Sequence, residues 1–228
     1  MPLECRSVPR HQPSYMRSAG SRLWPGRCAY CGKDGPETED HVIPRCLYPV
    51  GWAPDEYLTV PSHRTCNSGF SLAETAFKED LSTAGSNGAA AMSRDSVVRS
   101  FGRDRRRGRK LLERLSEGKI FPHRNADTVR VMRKVVRGIA YYHGLFPSLP
   151  SELIAISPAK YLIPPSFLTE ARFHEVRHPD VFECSCFVIG DLPGDGPVHR
   201  SEHSFWRLRF YDRVMFDAWV TAPPDRPR

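Results

Sequence analysis

Two short ligand pairs constrain this chain more than any other feature. Cys28-Ala29-Tyr30-Cys31 is followed, after 31 intervening residues, by His63-Arg64-Thr65-Cys66. Each pair sets two metal ligands three positions apart, so one tight knuckle folds both onto a single ion. Two such knuckles give the spacing of a closed tetrahedral zinc site. Gly32, directly after the first pair, supplies the permissive backbone such a turn needs. Thiolate and imidazole are soft enough for Zn²⁺, and four protein ligands leave no open position. The zinc expected at Cys28, Cys31, His63 and Cys66 is therefore structural.

The remaining cysteines fit this reading. The chain has seven, an odd number, which in a cytosolic protein points to metal ligands plus spare buried thiols rather than a disulfide framework. Cys46 is a rival fourth ligand but has no partner at knuckle spacing, and is read as a buried thiol. Cys184 and Cys186 share one face of a strand and are read as core. No apolar stretch approaches the 18 or more residues of a membrane span, and the first residues lack the apolar stretch of a secretory signal. A cytoplasmic protein with no membrane partner is the expectation. Lys and Arg number 33 against 26 Asp and Glu, a net charge of +7, which suits a polyanion such as nucleic acid.

The texture changes along the chain. Residues 1–21 read as a loose basic arm, and residues 22–92 as a compact core with its linker. Ser82 to Gly88, rich in small residues, is the linker or loop. Residues 93–228 read as a second α+β unit: a basic helical stretch over 93–117, a helix from Asp127 to Tyr142, then strands within Val181–Ile189 and Phe205–Val220. Val129, Met132, Val135, Val136 and Ile139 give the helix one apolar face. Phe205, Trp206, Phe210, Tyr211, Phe216 and Trp219 could stack bases, but their strand-like setting makes core the reading. Arg103, Arg105, Arg106, Arg107, Arg109 and Lys110 crowd six cations into eight residues, a run that attracts phosphates with little sequence information, or else a solvated linker.

Between the knuckles stands Glu39-Asp40-His41-Val42-Ile43-Pro44, and Asn67 follows the last cysteine. In this order of motifs the chain resembles the HNH endonuclease family over about 60 residues: Cys-x-x-Cys, Asp-His-x-x-Pro, then x-x-Cys-Asn opening a helix. The resemblance implies a zinc-stapled ββα-metal core and hydrolysis of phosphodiester bonds, in DNA first of all. It implies that Asp40 and Asn67 hold a Mg²⁺-type ion and that His41 is the general base. Those residue types suit the task, because a carboxylate and an amide carbonyl are hard oxygen ligands, and neutral imidazole near pH 7 can take a proton from water.

Asn67 or Ser68 is also placed to begin the helix whose apolar stripe is Phe70, Ala73, Phe77 and Leu81, so an ordinary N-cap is its other reading. The middle Asn of the family pattern is missing from Tyr57–Ser62, so His41 needs another orienting group, such as a backbone carbonyl. Glu74, on the same helical face as Asn67, is read as solvated, with a place in the metal's outer shell as its other reading. The alternative function is a non-catalytic zinc-ribbon protein that binds nucleic acid.

Overall fold

The structure, a computed structural model, describes residues 26–116, 125–159, 173–177, 180–189 and 203–221. The arm read over 1–21 lies outside them. The fold is α+β. Its first sheet is a pair of short strands, β1 (Thr38–His41) and β2 (Thr59–Ser62), antiparallel, with Asp40 opposite Val60 and His41 opposite Thr59. A short helix α1 (Arg64–Ser68) follows, then the longer α2 (Ser71–Ala84).

Phe70, Ala73, Phe77 and Leu81 are all buried, as their spacing predicts. The helix start differs from expectation. Asn67 sits in the last turn of α1, which closes when the Gly69 N–H donates to Thr65 O and the Phe70 N–H to Asn67 O. Asn67 is therefore no N-cap, and α2 begins at Ser71 without a side-chain cap. The expected linker is also shorter. Ser82 and Thr83 remain helical, with their hydroxyls donating back to Glu79 O, and Asn87 starts α3 (Gly88–Phe101) by accepting from the Ala90 N–H. The basic stretch divides at 102–104 into α3 and α4 (Arg105–Ser116).

Helix α5 (Ala126–Tyr142) buries Met132, Val135, Val136 and Ile139, while Val129 is only half-buried. Its start is tied to α2 through buried Asp80, which accepts from Asn125 Nδ2 at 2.7 Å and Thr128 Oγ1 at 3.2 Å. The chain then forms an antiparallel sheet in the order β3 (Ile154–Pro158), β7 (Val214–Thr221), β6 (His203–Phe210), β5 (Phe182–Ile189) and β4 (Phe173–Val176).

One apolar core joins the segment of the two knuckles to this sheet, and includes Cys28, Val42, Phe77, Val135, Cys184, Cys186 and Phe210. The Phe77 ring meets Phe210 edge-on at 5.3 Å. Trp206, Phe210, Tyr211 and Phe216 are buried as expected. Phe205 and Trp219 are not core. They stack on each other across β6 and β7 at 4.7 Å, and Trp219 is 46% exposed. Strand alternation explains the split, since Phe205 and Trp219 occupy the sheet face opposite Trp206 and Ala218.

Gly138 fixes how closely α5 approaches the end of β1. A Cβ there would lie 2.7 Å from both Val42 methyls. That approach brings the α5 side chains beneath Asp40 and His41.

Candidate functional site

The first knuckle folds because Gly32 adopts a φ of +68°, a left-handed conformation that glycine reaches without strain. The Gly32 N–H donates to Cys28 O, and the Cys28 N–H to Lys33 O, both at 2.9 Å. The Ala29 N–H reaches Pro61 O at 2.9 Å and ties this knuckle to β2. The second knuckle is the entry to α1. His63 precedes the helix and Cys66 lies within it, near enough that both side chains reach the first pair.

The ligand atoms of Cys28, Cys31, His63 and Cys66 lie within 4.8 Å of one another. A tetrahedron with ~2.3 Å metal–sulfur bonds has edges of about 3.8 Å, so the set fits one ion with little adjustment. His63 Nδ1 faces Cys31 Sγ at 3.2 Å, while Nε2 lies 3.0 Å from Asp34 O. Donation from Nε2–H to that carbonyl leaves Nδ1 free as a ligand, the outer-shell pattern of metal-bound histidines. Burial and the neighbouring Cys28 push the Cys66 thiol up to about 12. Burial also raises Cys28, but backbone N–H groups of Cys31, His63 and Tyr30 bring it down to about 7. The Asp34 carbonyl and then Cys31 raise His63 to about 9. Crowded thiols that resist sharing negative charge are what a divalent cation relieves. The four residues can hold one metal ion. Cys46 stands apart, half-buried, with its thiol pushed up to about 11 chiefly by burial.

Asp40 and His41 are neighbours at the end of β1, and Asn67 lies in α1, which packs against that strand. The Asn67 side chain donates from Nδ2 to Glu39 O at 3.3 Å, which docks α1 against β1. Asp40 is 4% exposed, and its Oδ2 accepts from Tyr30 Oη at 2.6 Å and from Lys134 Nζ at 2.8 Å. Lys134, on α5, is itself buried, and also donates to His41 O at 2.8 Å and pairs with Glu74. Glu74 is thus an ion-pair partner of a buried ammonium rather than a solvated glutamate. The opposing charges offset one another, as groups withdrawn from water must.

His41 is half-buried. Burial and then the Arg45 charge lower its pKa below the ordinary histidine value, which favours neutral imidazole. Its ring is held edge-on to Tyr57 at 5.0 Å. Among the described residues no hydrogen bond reaches the imidazole, so the expected backbone carbonyl is replaced by an aromatic contact.

Arg103, Arg105, Arg106, Arg109 and Lys110 are exposed around α4. Arg109 faces Glu113 at 3.8 Å, and Arg107 is drawn into the fold by Glu79 at 2.5 Å. Sequence reasoning missed Tyr30 and Lys134. Lys134 had a signal: Val131 and Gly138, three before and four after it, put it on the buried side of α5. Arg130, Arg133 and Arg137 on the same helix were missed as well. Among the described residues no helix is long and apolar enough to cross a membrane. Compared with models of known families, with curated proteins and with solved structures, the chain gives no match.

Proposed function

We propose that the protein is a metal-dependent endonuclease that hydrolyses phosphodiester bonds in DNA. One observation carries the reading: the Asp40 carboxylate and the Asn67 amide each keep one oxygen to which no described residue is bonded. Asn67 donates its Nδ2 to Glu39 O, and among the described residues nothing is bonded to its Oδ1. Asp40 engages Tyr30 and Lys134 through Oδ2, and nothing among the described residues is bonded to Oδ1. A carboxylate oxygen and an amide oxygen, with waters and phosphate oxygens, are the usual donor set for Mg²⁺. When bound, such an ion offsets charge on the phosphate and the departing oxygen.

The protein's own residues supply the rest. His41, lowered by burial, accepts the proton of the attacking water. Tyr57 limits the imidazole's rotation. Lys134 and Tyr30 fix the Asp40 carboxylate from behind. Cys28, Cys31, His63 and Cys66 hold a structural zinc, which locks β1, β2 and α1 into one unit.

A second reading has its own support. Lys134 already balances the Asp40 charge, and an ammonium so close opposes a divalent cation. This favours a non-catalytic zinc-ribbon module that binds nucleic acid. Plasmid cleavage separates the two. Nicked or linear DNA formed with Mg²⁺ and abolished by a chelator supports the endonuclease. DNA binding without any cleavage supports the module.

A further inference from the structure

Along one face of α5, Arg130, Arg133 and Arg137 open onto a groove of about 550 Å³ whose other walls include Phe70, Val129 and Ser151. Each guanidinium is held by a contact that brings no carboxylate to it. Arg130 lies over the Phe70 ring at 5.5 Å. Arg133 donates from Nε to Ile154 O at 2.9 Å. Arg137 lies over the Tyr30 ring at 5.6 Å, and its Nε is buried without a hydrogen-bond partner. Among the described residues none of the three forms an ion pair, although the Glu152 charge acts on Arg137 from beyond ion-pair distance.

Like charges at three- and four-residue spacing repel one another on a helix, and a buried N–H without an acceptor is costly. An anion in the groove would offset both costs. Guanidinium forks match phosphate oxygens two at a time. The helical rise of 1.5 Å per residue separates Arg130 from Arg137 by about 10.5 Å along the axis, roughly three nucleotide steps of 3.4 Å.

The groove is linked to the candidate site through its lining, since Phe70 packs on Tyr30 at 5.3 Å and Arg137 lies over the same ring. Phe70 follows Asn67 by three residues, and Tyr30 donates to Asp40. We infer that Arg130, Arg133 and Arg137 form a phosphate-binding groove that seats one nucleic-acid strand beside Asp40 and Asn67. The seating rests on the endonuclease reading; the binding does not.

The test uses the full chain, a fluorescein-labelled 20-base-pair duplex and buffer without divalent cations, with affinity followed against salt concentration. The triple variant Arg130→Gln, Arg133→Gln, Arg137→Gln should lose at least tenfold in affinity. Its log-affinity against log-salt slope should flatten by roughly 2–3, since each lost phosphate contact removes about 0.9. Because Arg137 packs on Tyr30, the single variant Arg130→Gln, at an exposed position that makes no hydrogen bond among the described residues, serves as a second measurement. It should keep its metal content and melting temperature and lose close to one unit of slope. An unchanged slope in Arg130→Gln overturns the inference. So does an acidic polypeptide that binds as tightly as the duplex and is weakened by the same substitutions, which makes the groove a protein-docking site. Because no divalent ion is present, a protein that never cleaves DNA still passes or fails this test.

Discussion

Lys134 Nζ lies 2.8 Å from Asp40 Oδ2, with both side chains withdrawn from water. The same ammonium pairs with Glu74 and donates to His41 O. One lysine on α5 thus fixes the strand that carries the proposed metal ligand and base. Removing it leaves two carboxylates facing each other without a cation.

Lys134→Met is expected to destabilise the protein by about 3–5 kcal/mol, the usual cost of breaking a buried ion pair from one side. Adding Asp40→Asn should restore part of that loss, because the stranded charge is then removed. Urea unfolding of the two single variants and the double variant gives the coupling directly. A loss below about 1 kcal/mol for Lys134→Met would mean that water reaches this cluster and the pair is not buried in solution.

The cluster of Cys28, Cys31, His63 and Cys66 makes a separate prediction. Purified protein should contain one zinc per chain, and Cys66→Ser should lose both the zinc and much of the folding free energy. Thiol alkylation adds detail. Cys46, Cys184 and Cys186 should stay unreactive in the native state, since burial raises the thiols of Cys46 and Cys184 and Cys186 is fully buried. Cys28, Cys31 and Cys66 should become reactive only after chelation, as read by mass spectrometry of the labelled peptides. Equal labelling with and without chelator would remove the case for a bound ion.

The contact of Gly138 with Val42 predicts that Gly138→Ala costs about 1–3 kcal/mol, the usual range for overpacking. A paired Val42→Ala should recover a good part of it by clearing the two methyls. Thermal melts of the three proteins check this. A Gly138→Ala variant as stable as the parent would show that α5 and β1 are not in close contact.

For the basic run, the exposed arginines for which no ion pair is found among the described residues are the informative ones. Replacing Arg103, Arg105 and Arg106 with Gln should weaken binding to all DNA sequences alike and reduce the salt slope by about 3 or less. Arg107→Gln should act on stability instead, because Arg107 pairs with buried Glu79. If slope and affinity are unchanged by the triple substitution, the run is a solvated helix face.

Much of this was legible in the chain because the signals were local. The two knuckles fix their own ligands by spacing, and the stripes of Phe70–Leu81 and Val129–Ile139 follow helical period. What the sequence concealed depends on contacts between distant segments. Glu74 looks like any exposed glutamate until Lys134, 60 residues later, is packed against it. Asn67 looks like an N-cap in the sequence, and only the closure of α1 by Gly69 and Phe70 rules that role out. Arg130, Arg133 and Arg137 look like an ordinary charged face until Phe70 and Ser151 wall them into a groove.

His41 offers the most direct test of the central claim. Supercoiled plasmid incubated with Mg²⁺ and wild-type protein should be nicked or linearised. His41→Ala should slow that reaction by ~10²–10⁴-fold, as for a lost acid–base group, while zinc content, melting temperature and DNA binding are unchanged. If purified His41→Ala cleaves as fast as the parent, the proposed active site is wrong.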